Sequence, residues 1–537
     1  MESNESAESL YKARIVGRQT YLQEAHRSAK VTIPSVIPDD QDICTRTEPV
    51  LLPKPFQSLG ARGTNNLASK LLLTLFPPTL PFMKYVLTAK AKDEVEQSPE
   101  ELSAIQSRLS RREQRIQDEV DIQNIRTKAF SVFKHLLIAG NVLVYANPSE
   151  PGLQLFPLNS YVTTRDGEGN LLDLIYVEKL DRMSIEDQRV LTILASVPEA
   201  TQTPSPGATD RPVFLYTRVV RKGSHFHSWQ EVGGLVVPES HEQWAVDGPM
   251  PWLALRYTSI DGEDYGRGFV EEYRGDLTSY EQLSRDTLFA SANAAKVVWA
   301  IDPTSTLKPK KFMDAPNGGA VSGRPDDIGA IRLDKGGDMN FVGMEKRELK
   351  EDLSAAFMLN SSFQRNGERV TAEEIRRMAE ELEDTLGGVF SLLSAEFQLP
   401  VALLLEAGLV KRDPSFKALP KDSVRTAVVT GLAAIGRGQE LMRLREALAL
   451  VGEAATIFPG LPDWINEEDL NTRLWTGNGV DTEGLIKTAD EVAEERQAKQ
   501  QAAAQQTLGQ ELARGAGNAT GQLDPEQVAQ SLNPQEQ

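Results

Sequence analysis

Three short runs of the sequence carry residue types that perform chemistry in other proteins. Ser69 and Lys70 are adjacent and could pair as nucleophile and base, but no oxyanion loop or companion base accompanies them, which favours a core helix with a polar flank. His225 and His227 lie on one face of a predicted strand without a third and fourth ligand at zinc spacing, which favours ordinary strand histidines. Gly436-Arg437-Gly438 precedes a helix, yet the phosphate-loop pattern Gly-x-x-x-x-Gly-Lys-Ser/Thr occurs nowhere. We therefore predict no enzyme, no metal site and no cofactor.

A polar run in the last third of the chain offers a different chemistry, namely contact with phosphates that is blind to base sequence. It combines two cations with a carboxylate and neutral amide donors: Arg365, Arg369, Glu368, Asn360, Gln364 and Asn366. Cationic side chains neutralise phosphate charge, and amides add hydrogen bonds that carry no sequence information. The alternative is that both arginines pair with acidic side chains of the following helix or of a neighbouring copy.

Composition limits the classes of protein that fit. The 537 residues include 58 Lys and Arg against 77 Asp and Glu, a net charge of −19, which argues against tight duplex binding through a basic face. Such a surface still suits DNA that must slide past without sticking. Cys44 is alone, which excludes an intrachain disulfide and fits a reducing cytoplasm. The polar N-terminus lacks a signal-peptide core, and apolar stretches such as 71–80 are too short and Pro-broken to span a bilayer.

The element that follows the polar run is a long helix over 371–398. Thr371 and Glu374 form a capping box at its start, and apolar residues recur every three or four positions from Ile375 to Phe397. At 1.5 Å per residue this helix is roughly 42 Å long. We expect Pro400 to end it and Gly387-Gly388 to kink it.

The rest of the chain is predicted to be a mainly helical α+β protein. Helices are expected over 8–30, 56–75, much of 98–137, 183–195, 276–298, 345–359, 401–452 and 485–506. Alternation with period two predicts strands over 141–146, 153–157, 161–165, 171–178, 212–222 and 227–237. An irregular segment over 302–341 carries three lysines, Lys308, Lys310 and Lys311, and the tail over 509–537 is predicted to be disordered.

Several runs resemble the portal protein, or head-to-tail connector, of short-tailed phages. They occur in the same order and read GARGTNNLASKL (60–71), YGRGFVEEY (265–273), FMLN (357–360), GERVTAEEIR (367–376), LEDTLGGV (382–389) and GLAAIGRGQ (431–439). The resemblance thins before Val31 and after Gly452.

This resemblance implies a portal fold assembled as a ring, with wing, stem, clip and crown. The corresponding segments are the wing over 1–275, stem helix over 276–301, clip over 302–344, second stem helix over 345–359, tunnel loop over 360–370, long wing helix over 371–400, helical crown over 401–508 and tail over 509–537. The polar run described above then becomes the tunnel loop that meets DNA. The three clip lysines become a docking surface for the terminase and the tail adaptor.

The function implied is a dodecameric DNA channel at one capsid vertex, assembled in the host cytoplasm and retained in the virion. The genome would be packaged through it by the terminase large subunit and ejected through it into the tail. Other implied partners are the tail tube or adaptor protein, the major capsid and scaffolding proteins, and internal core proteins at the crown, with no membrane involved. The alternative is another virion ring or tail adaptor protein without a channel role. A packaging ATPase is disfavoured by the missing phosphate loop, and a cytoplasmic helical scaffold would form no ring.

Overall fold

The computed structural model describes most of the N-terminal three quarters of the chain. The described residues are 5–45, 50–78, 81–91, 99–147, 151–181, 185–196, 212–294, 298–304, 307–331 without 323, 325 and 327, 336–359, 382, 386, 388–428 without 415, 418 and 420–422, 447–453, and 470. The chain divides into two compact units, one of Met1–Gln97 with Arg112–Gly436 and one of Ser98–Arg111 with Arg437–Gln537. Of the second unit, the described part is helical over 99–111 and 447–453. The features discussed below belong to the first unit.

The helices follow the predicted order. In the described part they are α1 (Ala7–Lys30), α2 (Leu59–Leu75), α3 (Pro99–Ile122), α4 (Ile125–Ala139), α5 (Gln188–Ser196), α6 (Phe269–Glu272), α7 (Arg274–Ala294), α8 (Pro309–Met313), α9 (Gly336–Ala356), α10 (Gly388–Leu393) and α11 (Leu399–Arg412). A π-helical turn, Ser394–Gln398, joins α10 to α11.

The strands form four antiparallel sheets in the described part. They are β1 (Met83–Leu87), β2 (Asn141–Tyr145), β3 (Gln154–Phe156), β4 (Tyr161–Arg165), β5 (Leu171–Leu180), β6 (Val213–Lys222), β7 (His225–Val232), β8 (Leu235–Val236), β9 (Glu242–Ala245), β10 (Trp252–Arg256), β11 (Val298–Ile301), β12 (Ile328–Ile331) and β13 (Val424–Val428). The largest sheet has the order β4-β5-β6-β7-β8, with β9 also paired to β7. The smaller sheets are β10-β2-β3, β1-β13 and β11-β12.

The long N-terminal helix α1 lies on one face of the largest sheet. Ala7 and Tyr11 of α1 pack against Val162, Ile175 and Val177 of the sheet, so that the apolar faces of both elements are buried in one core. Arg18, the one fully buried cation of α1, forms an ion pair with Asp42 and donates a hydrogen bond of 2.7 Å to Tyr161 O. The predicted helix and the predicted mixed helix-and-strand architecture of this region are therefore confirmed.

The arm formed by α7 and α9 differs from its predicted boundaries. Helix α7 runs over Arg274–Ala294, and the chain is already a strand from Val298, where the stem helix was expected to continue to 301. Helix α9 begins at Gly336, nine residues before the predicted start at Glu345, so residues 336–341 of the expected irregular segment are helical. Gly336-Gly337-Asp338 looks unfavourable for a helix, but packing against α7 outweighs local propensity. Strands β11 and β12 pair at the far end of the arm, which was expected to be irregular.

Pro400 does not end the helix that contains it, contrary to the prediction. The N–H of Leu399 bonds to Ser394 O, five residues back, which widens the turn just before the proline. An ordinary α-helical turn there would press the proline ring against the carbonyl of residue 396. Gln398 is fully buried and donates its amide to Leu75 O at the end of α2. The helix therefore continues to Arg412.

Two further predictions about the region after residue 400 are corrected. Residues Val424–Val428 form a strand paired with β1, although 401–452 was expected to be helical. Among the described residues, the helical run Gly388–Arg412 is also long and apolar enough to cross a membrane by length and composition, which the apparent break at Pro400 had concealed. Core helices pass the same test, and Phe397 of this run packs against Phe76 and Phe133.

Candidate functional site

The base of the α7–α9 arm is held by α2, through a glycine that leaves room for an aromatic ring. A Cβ atom on Gly63 would stand 2.5 Å from Cγ and Cδ1 of Phe357, so a larger residue cannot occupy this position without displacing the ring. Phe357 directly follows α9 and is fully buried. Gly60, one turn earlier on α2, makes a similarly close approach to the backbone of Val31. The two glycines thus let α2 pack directly against neighbouring chain segments.

The end of α9 is also held by a side-chain amide of α2. Asn66 Nδ2 donates hydrogen bonds to Phe357 O at 3.1 Å and to Met358 O at 3.0 Å. These carbonyls lie beyond the last turn of α9, where helical partners are lacking. Asn66 therefore binds the exit of the arm at the residues that lead into 360–370.

The start of the arm is held by a second tight junction, between the α4–β2 turn and the loop before α6. Asn141 accepts a hydrogen bond from Gly266 N at 2.7 Å and donates one to Gly266 O at 2.7 Å, so its side-chain amide binds both backbone polar groups of one residue. Gly140 has φ of +70°, and a Cβ there would stand 2.5 Å from Gly268 N. The α4–β2 turn and the loop before α6 therefore fit together only with glycine at positions 140 and 268.

Arg267 of the same loop is fixed by two carboxylates and an aromatic ring. It bonds Glu263 at 3.1 Å and Glu271 at 3.0 Å, and its guanidinium lies 4.7 Å from the centre of the Tyr21 ring. The hydrogen bond to Glu263 raises the pKa of Arg267 and lowers the pKa of Glu263. Because both carboxylates are already bound, this arginine supports the junction and is not a free cation for a ligand.

Three of the runs singled out in the sequence meet at this base. Phe357 from one run packs edge-on against Phe269 from another at 5.3 Å, and the third run supplies Gly63 and Asn66. Tyr273 lies 6.1 Å from Phe357 on a further side. The runs are recognisable from the sequence, but their contact was not predicted. The one local signal was the i, i+3 spacing of Gly60 and Gly63, which places two small residues on one helix face.

The two arm helices expose large apolar side chains. Leu288 and Phe289 of α7 are 57% and 51% exposed, and Phe341 and Met344 of α9 are both 68% exposed. The inner faces of the helices pack on each other, with Lys346 Nζ 5.7 Å from the centre of the Tyr280 ring. The outer faces thus carry an apolar surface that a soluble chain normally covers.

The far end of the arm carries the three predicted docking lysines. Lys308, Lys310 and Lys311 are exposed, in or next to α8, and make no ion pair with any residue that the structure describes. Two apolar residues accompany them: Trp299, which packs edge-on against Phe312 at 5.3 Å, and Met313, which is 72% exposed. The arm tip therefore combines cations with an apolar surface.

The predicted tunnel-loop residues lie outside the described part of the chain: Asn360, Gln364, Arg365, Asn366, Glu368 and Arg369. The capping box of Thr371 and Glu374 and the Gly387-Gly388 kink also involve residues outside it. What the structure does describe is the anchor on the N-terminal side, Phe357–Leu359.

Ser69, Lys70, His225 and His227, which were considered for chemistry, lie in regular helix and strand positions. Ser69 Oγ donates to Asn65 O of its own helix at 2.8 Å, while Lys70 is buried on another side of α2. His225 and His227 lie on β7, and within the described ranges no group of three His, Cys, Asp or Glu side chains is arranged to hold a metal ion. The core-helix and strand interpretations fit these positions.

Comparison with known proteins decides the family. Residues 4–486 match the family model described as bacteriophage head to tail connecting protein. The chain belongs to this connector family. It is 34% identical over 525 residues to the portal protein of Escherichia phage T7, with 96% of the chain and 93% of that protein covered. It is 35% identical over 520 residues to the portal protein of Enterobacteria phage T3, at the same coverage. A solved structure, the neck of an empty GTA particle computed with C6 symmetry, aligns at 14% identity over 72% of this chain and 86% of that chain, and its TM-score of 0.34 is too low to support an argument.

Membership of the connector family confirms several predictions made from the residues. The chain is a phage portal protein, a structural connector of the virion at the junction of head and tail, and not an enzyme. The relatives are portal proteins of short-tailed phages, as the resemblance implied. The α+β, mainly helical class is confirmed by the structure.

Proposed function

We propose that the connector chain is one subunit of a dodecameric ring around a DNA channel at one capsid vertex. The genome enters through this channel, driven by the terminase, and later leaves through it into the tail. The observation that carries the ring is the apolar outer surface of the arm, formed by Leu288, Phe289, Phe341 and Met344. A neighbouring copy that covers this surface removes it from water and closes the ring.

The ring is tested by changing that surface. Light scattering on the purified chain should give a particle of about 710 kDa for twelve copies of 59.2 kDa. Phe341→Ser with Met344→Ser should shift the population toward smaller species. Val16→Ser, a change of one side chain that is 77% exposed on α1, serves as the control and should leave the ring intact. A monodisperse monomer of the unchanged protein at micromolar concentration would contradict the ring.

The channel wall is proposed to repel DNA except at the tunnel loop. A net charge of −19 per subunit, repeated around the ring, keeps phosphates from binding strongly along the bore. Arg365 and Arg369, with Asn360, Gln364, Asn366 and Glu368 beside them, are proposed to form a girdle that holds DNA weakly. Support comes from family membership and from the anchoring of the arm exit at Phe357–Leu359, directly before this segment.

The tunnel loop is tested by Arg365→Ala combined with Arg369→Ala. Ring assembly should survive because the capping residues Thr371 and Glu374 are unchanged, while packaged DNA should leak from filled heads. If the two arginines instead pair with carboxylates of the ring, the same variant should melt at a lower temperature and retain DNA normally. Ring melting and genome retention measured on one preparation separate these outcomes.

The arm tip is proposed to dock the terminase during packaging and the tail adaptor afterwards. The tip lysines, which pair with no described residue, lie beside Trp299 and Met313 and suit a partner that brings carboxylates and an apolar side chain. Changing all three tip lysines to Glu should leave the ring intact and weaken binding of both partners. The matched control changes three exposed lysines elsewhere, Lys30, Lys90 and Lys128, to Glu. Equal binding by both triple variants would show that the tip lysines have no docking role.

Assembly in the host cytoplasm, contacts with capsid and scaffolding proteins, and contacts of the crown with internal core proteins complete this proposal. The segment boundaries of wing, stem, clip and crown follow those predicted from the sequence, with the arm helices taken as observed over Arg274–Ala294 and Gly336–Ala356.

A further inference from the structure

Helix α9 ends in a hydrogen-bonded C-terminal motif that normally requires glycine. Met358 N–H bonds to Ala355 O at 2.9 Å, and Leu359 N–H bonds to Ser354 O at 2.8 Å, which is the pattern of a Schellman motif. The residue at the reversal is Met358, with φ of +52°. This left-handed conformation is unfavourable for a residue with a Cβ atom and persists only where the surroundings impose it.

The surroundings that impose it include the side chain of Asn66. Its amide reaches two consecutive carbonyls, Phe357 O and Met358 O, across 291 and 292 positions of sequence. One such contact would allow the chain to rotate about it. Two contacts to successive peptide groups fix the orientation of both, and with them the direction in which the chain leaves α9.

We propose that Asn66 is a positioning residue of the connector: it sets the direction in which the backbone leaves the arm at Leu359 toward residues 360–370. This inference rests on the proposed function, in which the segment after Leu359 meets DNA. The ring of Phe357, seated against Gly63, holds the position of the arm exit, and Asn66 adds its orientation.

The test replaces Asn66 by Asp, which keeps the shape, removes both N–H donors and places a carboxylate opposite two carbonyl oxygens. Amide hydrogen exchange at Met358 and Leu359 in the assembled ring should become at least about tenfold faster, since two hydrogen bonds are lost. Genome retention in filled heads should fall. Ser69→Asp is the matched control, because it adds the same charge to α2 at a side chain that bonds only within that helix.

A second variant, Asn66→Ala, removes the donors without adding charge and keeps the test valid if Asn66→Asp fails to assemble. Unchanged exchange at Met358 and Leu359 in either variant would overturn the inference. Faster exchange with normal retention, while Arg365→Ala with Arg369→Ala loses DNA, would also overturn it and leave the proposed function standing. Normal retention in all of these variants would instead count against the proposed function.

Discussion

Replacing Gly63 by Ala sets two effects of one methyl group against each other. Ala favours the helical backbone over Gly by about 1 kcal/mol. At Gly63, however, the new Cβ would stand 2.5 Å from two ring atoms of Phe357 and 2.8 Å from its Cβ. These separations are far inside van der Waals contact, so Phe357 must move.

The surroundings of Phe357 determine how much that movement costs. The ring is fully buried and packs against Phe269 at 5.3 Å, so no open space receives it. Rotation of the side chain cannot relieve the contact with its Cβ, and the backbone at the end of α9 must shift as well. Overpacking a well-packed site costs about 1–3 kcal/mol, and a backbone shift places this site near 3. Subtracting the helical gain predicts a net destabilisation of about 2 kcal/mol.

Thermal unfolding of the purified protein measures this change. Unfolding entropy is about 2.1 cal/mol/K per residue, so in a chain of 537 residues a loss of about 2 kcal/mol should lower Tm by about 2 °C. Gly17→Ala in α1 is the matched control, because an added Cβ there meets nothing within 4 Å and should raise Tm by about 1 °C. A Gly63→Ala protein that melts at or above the wild-type temperature, while Gly17→Ala is stabilised as expected, would refute the close packing of α2 on Phe357.

Three further outcomes are expected. Burial lowers the pKa of His135 from 6.5 to about 4, so the stability that its neutral form provides is complete above pH 6.5. Up to about 3 kcal/mol is then lost as pH falls to 4, and His135→Gln should show a shallower fall of Tm over that range. Arg18→Met should cost about 3–5 kcal/mol in urea unfolding by leaving Asp42 buried and unpaired, and adding Asp42→Asn should restore part of it; a loss below 1 kcal/mol would contradict this account. The purified protein should not hydrolyse ATP, and turnover that follows the protein peak through purification would contradict its role as a structural connector.

Sequence periodicity was sufficient to predict elements that are stabilised by residues close to them in the sequence. Helix α1 was predicted from its amphipathic period to within one residue at its start, and β4 was predicted at its observed bounds, Tyr161–Arg165. β4 and β5 pair as a hairpin across an Asp- and Gly-rich loop that joins the two alternating segments. In these cases the residues that stabilise the element are its immediate neighbours in sequence.

Local pattern failed where a distant partner decides the structure. Strand β13 exists because it pairs with β1, whose residues lie about 340 positions earlier. Its five residues, with valine only at the two ends, do not outweigh a helical context on their own. Pro400 reads as a helix end, yet the π turn before it and the hydrogen bond from buried Gln398 to Leu75 O carry the helix onward. Both errors come from tertiary contacts that the local sequence does not contain.

At the candidate site, too, some features follow from the local sequence and others depend on distant residues. The lysines at the arm tip are exposed, while their docking role stays a prediction. The segment that carries them was expected to be irregular but contains helix α8 and strand β12, which pairs with β11. The roles of Gly63, Asn66 and Asn141 were missed, because each acts on a segment more than a hundred residues away. A side-chain amide that binds two distant carbonyls leaves no periodic signal in the sequence.

Packing explains why the residues where three of the runs meet, at the arm base, are restricted to few types. At the arm base, Gly63 and Gly140 admit no Cβ without a clash, and Asn66 and Asn141 each bind a backbone group through both their position and their amide geometry. Few residue types satisfy such conditions, so a chain that forms this junction needs these two glycines and two asparagines. The outer faces and tip of the arm require only apolar or cationic character, which several residue types provide. A connector can therefore change its partner surfaces without altering its arm base, which contains three of the six runs that resemble the portal family.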